Sequence, residues 1–174
     1  MIVMGLDPGL RHTGFGLISS KGNGEVKLIE SGVISPKRSL ELPKRLAYIY
    51  SGIAEIISHF SPSEAAIEDI FISVNSKSAL KLGHARGCVM VCCVNKGLDV
   101  FTYESTLVKK TLVGRGRADK SQVAFMVSRH LDIAIPASQD ESDALAIGLC
   151  HIFISSTLKR YSLTREEMLA GKGR

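Results

Sequence analysis

Met1-Ile2-Val3-Met4-Gly5-Leu6-Asp7-Pro8-Gly9 and, three residues on, Thr13-Gly14-Phe15-Gly16-Leu17-Ile18-Ser19 decide the fold. Met1 to Asp7 is a run of apolar and small residues that closes on an acid, which predicts a buried strand with a carboxylate at its end. Thr13 to Ser19 places Phe15 and Leu17 between small or polar residues, a second strand. Lys21-Gly22-Asn23-Gly24 is a turn signal, because Gly and Asn tolerate positive φ. Val26 to Ile34 is a third strand. Short links between three strands predict an antiparallel meander.

Beyond the meander the period changes. Leu42, Leu46, Ile49, Ile53, Ile56 and Phe60 recur at three- and four-residue steps, the stripe of an amphipathic helix that Ser61-Pro62-Ser63 ends. Ala65 to Phe71 is a short apolar strand carrying Glu68 and Asp69. Ser76 to Val94 is a second helix, with Ala79, Gly83, Gly87 and Val91 spaced by four along one face. Glycine inside a helix costs about 1 kcal/mol relative to Ala, so this stripe implies close approach by another backbone. Either the domain's own sheet or a second copy of the helix satisfies it. Val100 to Tyr103 is a fifth strand, and Val113 to Arg117 a basic loop. Asp119 with Gln122, and Ser138 with Glu141, predict capping boxes for helices reaching Leu131 and about Ile154. The outcome is an α/β fold, a mixed five-stranded sheet with helices on its faces. Residues 1–157 form one domain, and 158–174 a polar tail expected to fray.

Composition agrees with a folded enzyme-sized domain. The 174 residues are 45% hydrophobic and 22% charged, which excludes a disordered chain. A chain of this length buries roughly 70% of its unfolded surface and needs no disulfide or zinc staple. Cys88, Cys92, Cys93 and Cys150 follow no metal or redox spacing and read as small hydrophobes, reduced in a cytoplasm. No apolar run approaches the ~20 residues of a membrane span, and no secretion signal opens the chain.

The net charge of +5 is unevenly spread. Between Ile72 and Lys120 stand nine bases (Lys77, Lys81, Arg86, Lys96, Lys109, Lys110, Arg115, Arg117 and Lys120) and three acids, leaving the rest of the chain at −1. Such a run is either a solvated face or a track for a polyanion, whose counterions are released on binding.

Carboxylates appear where a core would reject them. Asp7 closes the first strand, Glu68 ends Ala65-Ala66-Ile67, and Asp140 and Asp143 lie three apart in the first turns of the last helix, on one face. Glu141 is turned away from Asp140 by roughly 100°. Singly, a strand-end Asp caps a turn, and acids in a first turn complement the helix dipole. Together, beyond strand carboxyl ends, they form a set whose mutual repulsion calls for a cation. Oxygen ligands without His or thiolate suit Mg²⁺ or Mn²⁺. Two such ions beside a basic track suit in-line phosphodiester displacement.

The chain also resembles a known family. Gly5-Leu6-Asp7-Pro8-Gly9-x-Arg11-x-Thr13-Gly14-Phe15-Gly16, Ile67-Glu68-Asp69-Ile70-Phe71, Ser78-Ala79-Leu80-Lys81-Leu82-Gly83-x-Ala85-Arg86-Gly87, Lys120-Ser121-Gln122-Val123 and Asp143-Ala144-Leu145-Ala146 are similar to motifs of the RuvC family of bacterial Holliday junction resolvases. The resemblance runs from residue 2 to about 155. It implies an RNase H-like fold and a homodimeric, Mg²⁺-dependent endonuclease that nicks a four-way DNA junction symmetrically, leaving 5′-phosphate and 3′-hydroxyl ends. It implies that Asp7, Glu68, Asp140 and Asp143 are the catalytic, metal-binding acids, with two ions per subunit. Lys109 (or its neighbour Lys110) and Lys120 would be functional lysines, with Lys120 part of the catalytic set. Phe71 would stack near the junction point, and its alternative is core packing. Lys77, Lys81, Arg115 and Arg117 complete the expected DNA-binding set. The helix 76–94, through Ala79, Gly83 and Gly87, would be the dimer element, and a branch-migration motor complex a partner. Gly5 to Gly9 with Gly14 is similar, too, to the phosphate loop of actin-like ATPases and sugar kinases, which close two such domains around nucleotide. A junction-binding module without chemistry is the third reading.

Overall fold

The computed structural model describes residues 1–21, 24–69 and 76–162, the side chains of residues 76–78 apart. Gly22 and Asn23 of the expected turn, Phe71, the Lys77 side chain and residues 163–174 lie outside the described residues. The strands are β1 (Ile2–Asp7), β2 (Thr13–Ser20), β3 (Val26–Ile34), β4 (Glu64–Glu68) and β5 (Asp99–Tyr103). The helices are α1 (Leu42–Phe60), α2 (Ser76–Asn95), α3 (Ser105–Val113), α4 (Lys120–Leu131) and α5 (Gln139–Tyr161). The sheet order is β3-β2-β1-β4-β5, with the first three strands antiparallel as the meander predicts. β1, β4 and β5 run parallel.

Alternation along the strands sorts the core into two layers. Met4, Leu6, Leu17, Ala65 and Ile67 point to one face and pack with Ile49, Ile53 and Ile57 of α1 and Val89, Cys92 and Cys93 of α2. Val3, Ile18 and Ala66 point to the other, under Val108 and Leu112 of α3, Val123 and Val127 of α4, and Leu145, Leu149 and Ile152 of α5. The period of two therefore commits Asp7 and Glu68 to the α5 face.

Several elements differ from expectation. β4 ends at Glu68, where the Asp69 N–H turns to donate to Tyr103 O at 2.8 Å. The stretch around Lys109 is the helix α3, unmarked in the sequence reading, and Gly114 closes it at φ 82°. Asp119 and Gln122 do form the capping box, with Asp119 Oδ1 accepting Gln122 N–H at 2.8 Å. Ser138 and Glu141 do not, because Glu141 Oε1 instead accepts the Ser31 hydroxyl of β3 at 2.6 Å. α5 continues to Tyr161, two turns past the expected end near Ile154. The stripe on α1 buries Ile57 in place of Ile56.

The four cysteines are free. Burial pushes the Cys92 and Cys93 thiols up to about 11 and about 12, so they are inert hydrophobes at neutral pH. Among the described residues no helix is long and apolar enough to cross a membrane.

Candidate active site

Parallel pairing of Leu6 with Ile67 brings β1 and β4 to the same level, so the next residues, Asp7 and Glu68, end the strands side by side. The last helix is drawn over them by glycine. Gly5, Gly14 and Gly16 all face α5, where Gly5 pairs with Gly16 and Gly14 with Asp7 itself. A Cβ on Gly5 would collide with the Ala144 carbonyl, one on Gly14 with the Asp140 carbonyl, and one on Gly16 with the Leu145 side chain. On the helix, Gly148 lies against Gly5 in turn. Backbone thus rests on backbone, as glycine in a strand permits. This contact sets the first turns of α5, and with them Asp140 and Asp143, beside Asp7. These glycines were missed as site-building residues, and their signal was their common parity on two adjacent strands.

The electrostatics bear the marks of crowding. The Asp7 carboxyl is pushed up to about 7, first by burial and then by Glu68, Asp143 and Asp140, with the Lys120 ammonium working against them. Burial raises Glu68 as well, opposed by a hydrogen bond from Ser105. Asp143 is the paired member: Lys120 Nζ donates to its Oδ2 at 3.0 Å and Gln139 Nε2 to its Oδ1 at 2.8 Å. That bond to Asp143 holds the Lys120 ammonium above its usual range. Among the described residues no three His, Cys, Asp or Glu side chains stand close enough, as placed, to hold a metal ion. The donor set nonetheless fits a hard divalent ion. It is all carboxylate, and its mutual repulsion is the kind a cation relieves.

Other expected residues divide. Lys109, Lys120 and Ser105 line a cleft of about 200 Å³ with Glu68 and Asp143. Lys110 points elsewhere, into a cleft with Asp69, Thr102 and Glu104, so the helix α3 separates two lysines the sequence left interchangeable. Arg115 and Arg117 are exposed in the loop after α3. Lys81 is exposed on α2 and lines a third cleft with Asp140. Glu141, held by Ser31, is turned out of the carboxylate group.

A mixed five-stranded sheet in this order, with carboxylates converging from β1, β4 and the helix laid across them, is the RNase H-like architecture of the resolvases that cut branched DNA. The fold superposes on the yeast mitochondrial Holliday junction resolvase with a TM-score of 0.66 at 12% identity, over 91% of this chain and 80% of that one. It superposes on Thermus thermophilus RuvC in complex with a Holliday junction substrate with a TM-score of 0.85 at 33% identity, over 90% and 96%. The crossover junction endodeoxyribonuclease RuvC of Solidesulfovibrio magneticus is 44% identical over 151 residues, 87% of this chain and 89% of that protein. The family model for crossover junction endodeoxyribonuclease RuvC matches residues 3–151. The chain belongs to the RuvC family.

Proposed function

We propose that this protein is a junction-resolving endodeoxyribonuclease whose chemistry is carried by Asp7, Glu68, Asp140 and Asp143. The observation that carries this reading is the gathering of Glu68, Asp143 and Asp140 around the half-buried Asp7, whose carboxyl their charges help push to about 7. Divalent cations held by these carboxylates, two Mg²⁺ per subunit with Mn²⁺ as substitute, would supply Lewis-acid activation of water and offset charge on the departing 3′ oxygen.

The chain's own residues do the rest. Cutting replaces the bond from phosphorus to the 3′ oxygen with one to a water oxygen, leaving a 5′-phosphate and a 3′-hydroxyl. Lys120 holds Asp143 in place and neutralises part of the acidic group before substrate arrives. With Asp143 serving as a ligand, the Lys120 ammonium would be free to face a phosphate in the cleft that it lines with Lys109, which would add a second positive charge. Ser105 orients Glu68. Lys77, Lys81, Lys110, Arg115, Arg117 and Phe71 extend the DNA surface.

Paired symmetric nicks on a two-fold substrate suit a C₂ dimer, and α2 supplies a face for it. Its inner side is spent on α1 and the sheet through Ala85, Val89, Cys92 and Cys93. A Cβ on Gly83 or Gly87 would meet nothing within 4 Å, and Leu80, Val91 and Val94 stand exposed around them. Among the described residues the domain's own sheet does not fill Gly83 or Gly87, which supports a second copy of α2 as the occupant of this stripe. In a cytoplasm, a branch-migration motor would deliver the junctions.

The test is direct. Labelled four-way junction and matched duplex are incubated with protein and Mg²⁺, and the nicks mapped. Paired nicks at symmetric positions on the junction, with duplex uncut, are expected. Equal cutting of duplex, or ATP turnover without DNA, would discard the reading.

A further inference from the structure

On the Asp140 side of the acids lies a second and larger basic cleft, about 700 Å³, between the β1–β2 loop and the N-terminal ends of α1 and α2. Arg11, His12, Arg45 and Lys81 line it together with Gly9 and Asp140. Three of these cationic or imidazole side chains come from outside the basic stretch of the sequence. None of the four pairs with a carboxylate among the described residues.

The cleft is built, not incidental. Thr13, fully buried, donates its hydroxyl to Gly9 O at 2.9 Å and accepts Gly9 N–H at 3.3 Å, which closes the loop that carries Arg11 and His12. A Cβ at Gly9 would collide with the His12 carbonyl, so the loop folds this tightly because residue 9 has no side chain. The His12 ring is fixed by Nδ1 against Ser35 Oγ at 2.9 Å. Arg45 Nη2 donates to Arg38 O at 2.8 Å and Leu40 O at 3.1 Å, pinning the segment that forms the opposite rim. Its Nε is buried without a partner. Exposed cations gathered in one cleft suit the backbone of a polyanion, and the unpartnered Arg45 Nε leaves a donor for an incoming acceptor.

The two clefts meet at the acids. Glu68 and Asp143 line the one that holds Lys109 and Lys120, and Asp140 lines the other. A strand whose scissile phosphate sits on the carboxylates must leave in both directions. We propose that the Arg11–His12–Lys81 cleft is a second phosphate-binding subsite, which grips the backbone of the cut strand on the far side of the acids from Lys109 and Lys120. Arg11 and Lys81 supply the charge, His12 a hydrogen bond, and Arg45 positions the rim. The gripped phosphate lies near the cut, since Asp140 borders the cleft. This inference rests on the junction-nuclease reading and extends it to residues that charge counting along the chain leaves out.

The experiment walks a single uncharged methylphosphonate along the strand that is cut, and measures junction binding by wild type, Arg11→Ala, Arg11→Lys, Lys81→Ala and the remote control Lys159→Ala, with Ca²⁺ replacing Mg²⁺. In wild type, one position beyond the cut should weaken binding about tenfold. Arg11→Ala and Lys81→Ala should be insensitive at that position, and their salt dependence should fall by about 0.7–0.9 in log K against log salt. Arg11→Lys should restore most of the sensitivity, and Lys159→Ala should match wild type. Lys81→Ala, on an exposed helical position, gives the reading if Arg11→Ala does not fold. The same methylphosphonate sensitivity in the Ala variants as in wild type overturns the subsite. Failure of wild type itself to cut the junction in Mg²⁺ sinks the underlying function instead, so the two failures are told apart.

Discussion

The two faces of the sheet are built on opposite uses of glycine. On the α5 face, Gly5, Gly14 and Gly16 are spent inside the domain: each is filled by the backbone or side chain of α5, which leaves the helix no freedom to shift. On the other face, a Cβ on Gly83 or Gly87 of α2 would meet nothing within 4 Å among the described residues. The first kind of glycine sets the position of carboxylates that must converge on one point, and it tolerates no added atom. The second keeps an outer helix face low and open. The residue type is the same, and its function is read from what stands over it.

The largest effect expected is chemical. Asp7→Asn removes the central oxygen donor of the α5 face, and cutting should fall by about a thousandfold or more while junction binding stays near wild type. Undiminished cutting would separate the carboxylate group from the reaction. Gly14→Ala tests the geometry beneath it, for the new methyl has to displace the Asp140 backbone. Overpacking of this sort costs about 1–3 kcal/mol, or about 3–10 °C in Tm, and a small misplacement of the acid should lower the cutting rate by about 10²-fold. A Gly14→Ala protein with wild-type melting and rate would show that α5 is not held by this contact.

The contrasting glycine should behave in the opposite way. Gly87→Leu places a side chain into open space on one chain, so melting of the monomer should hold or rise slightly, helped by the ~1 kcal/mol that helical glycine forfeits. What it should lose is self-association: sedimentation is expected to shift from dimer to monomer, with weaker junction binding. An intact dimer would move the two-fold interface off α2 and break the parallel between the two faces.

How far the sequence carried this picture depends on the range of the interaction in question. The three meander strands, the helix α1 and the Asp119 cap are local, and each is present close to its expected place, though β4 stops at Glu68 and α1 buries Ile57 in place of Ile56. The acids were legible because a carboxylate at the end of an apolar strand is costly, and costly residues announce themselves. Lost were features settled by partners far along the chain. Glu141 looks like half of a capping box until Ser31, on β3, takes it. α3 went unread because its buried pair, Val108 and Leu112, is too short a stripe to stand out among lysines and β-branched residues. Gly5, Gly14 and Gly16 read as ordinary small strand residues until a helix from residue 139 onward is laid on them. Arg11 and Arg45 fell outside the basic stretch, and only folding brings them to Lys81.

The smallest effect is thermodynamic, and it asks whether the α5 face stores the repulsion its geometry implies. Asp7 titrates near 7 in the folded chain against an ordinary 3.8, so the folded state binds its proton more tightly than the unfolded one. Its contribution to stability is fully present below about pH 4 and is lost as pH rises toward 7. Glu68, also raised, acts in the same direction. His130, whose half-buried ring titrates below the usual 6.5, acts in the other direction, on the acid side only. Lys120 and the raised thiols titrate above this window. Melting in EDTA should therefore be compared between wild type and Asp7→Asn, a difference that cancels His130. The variant is expected to gain a few degrees over wild type at pH 8 and to lose that advantage by pH 5. Divalent cation should close the gap from the wild-type side, most strongly at pH 8, where the carboxylates are charged. Parallel melting curves for the two proteins across that range would mean that Asp7 carries no strain from its neighbours, and the α5 face would then be a rigid scaffold without an electrostatic load.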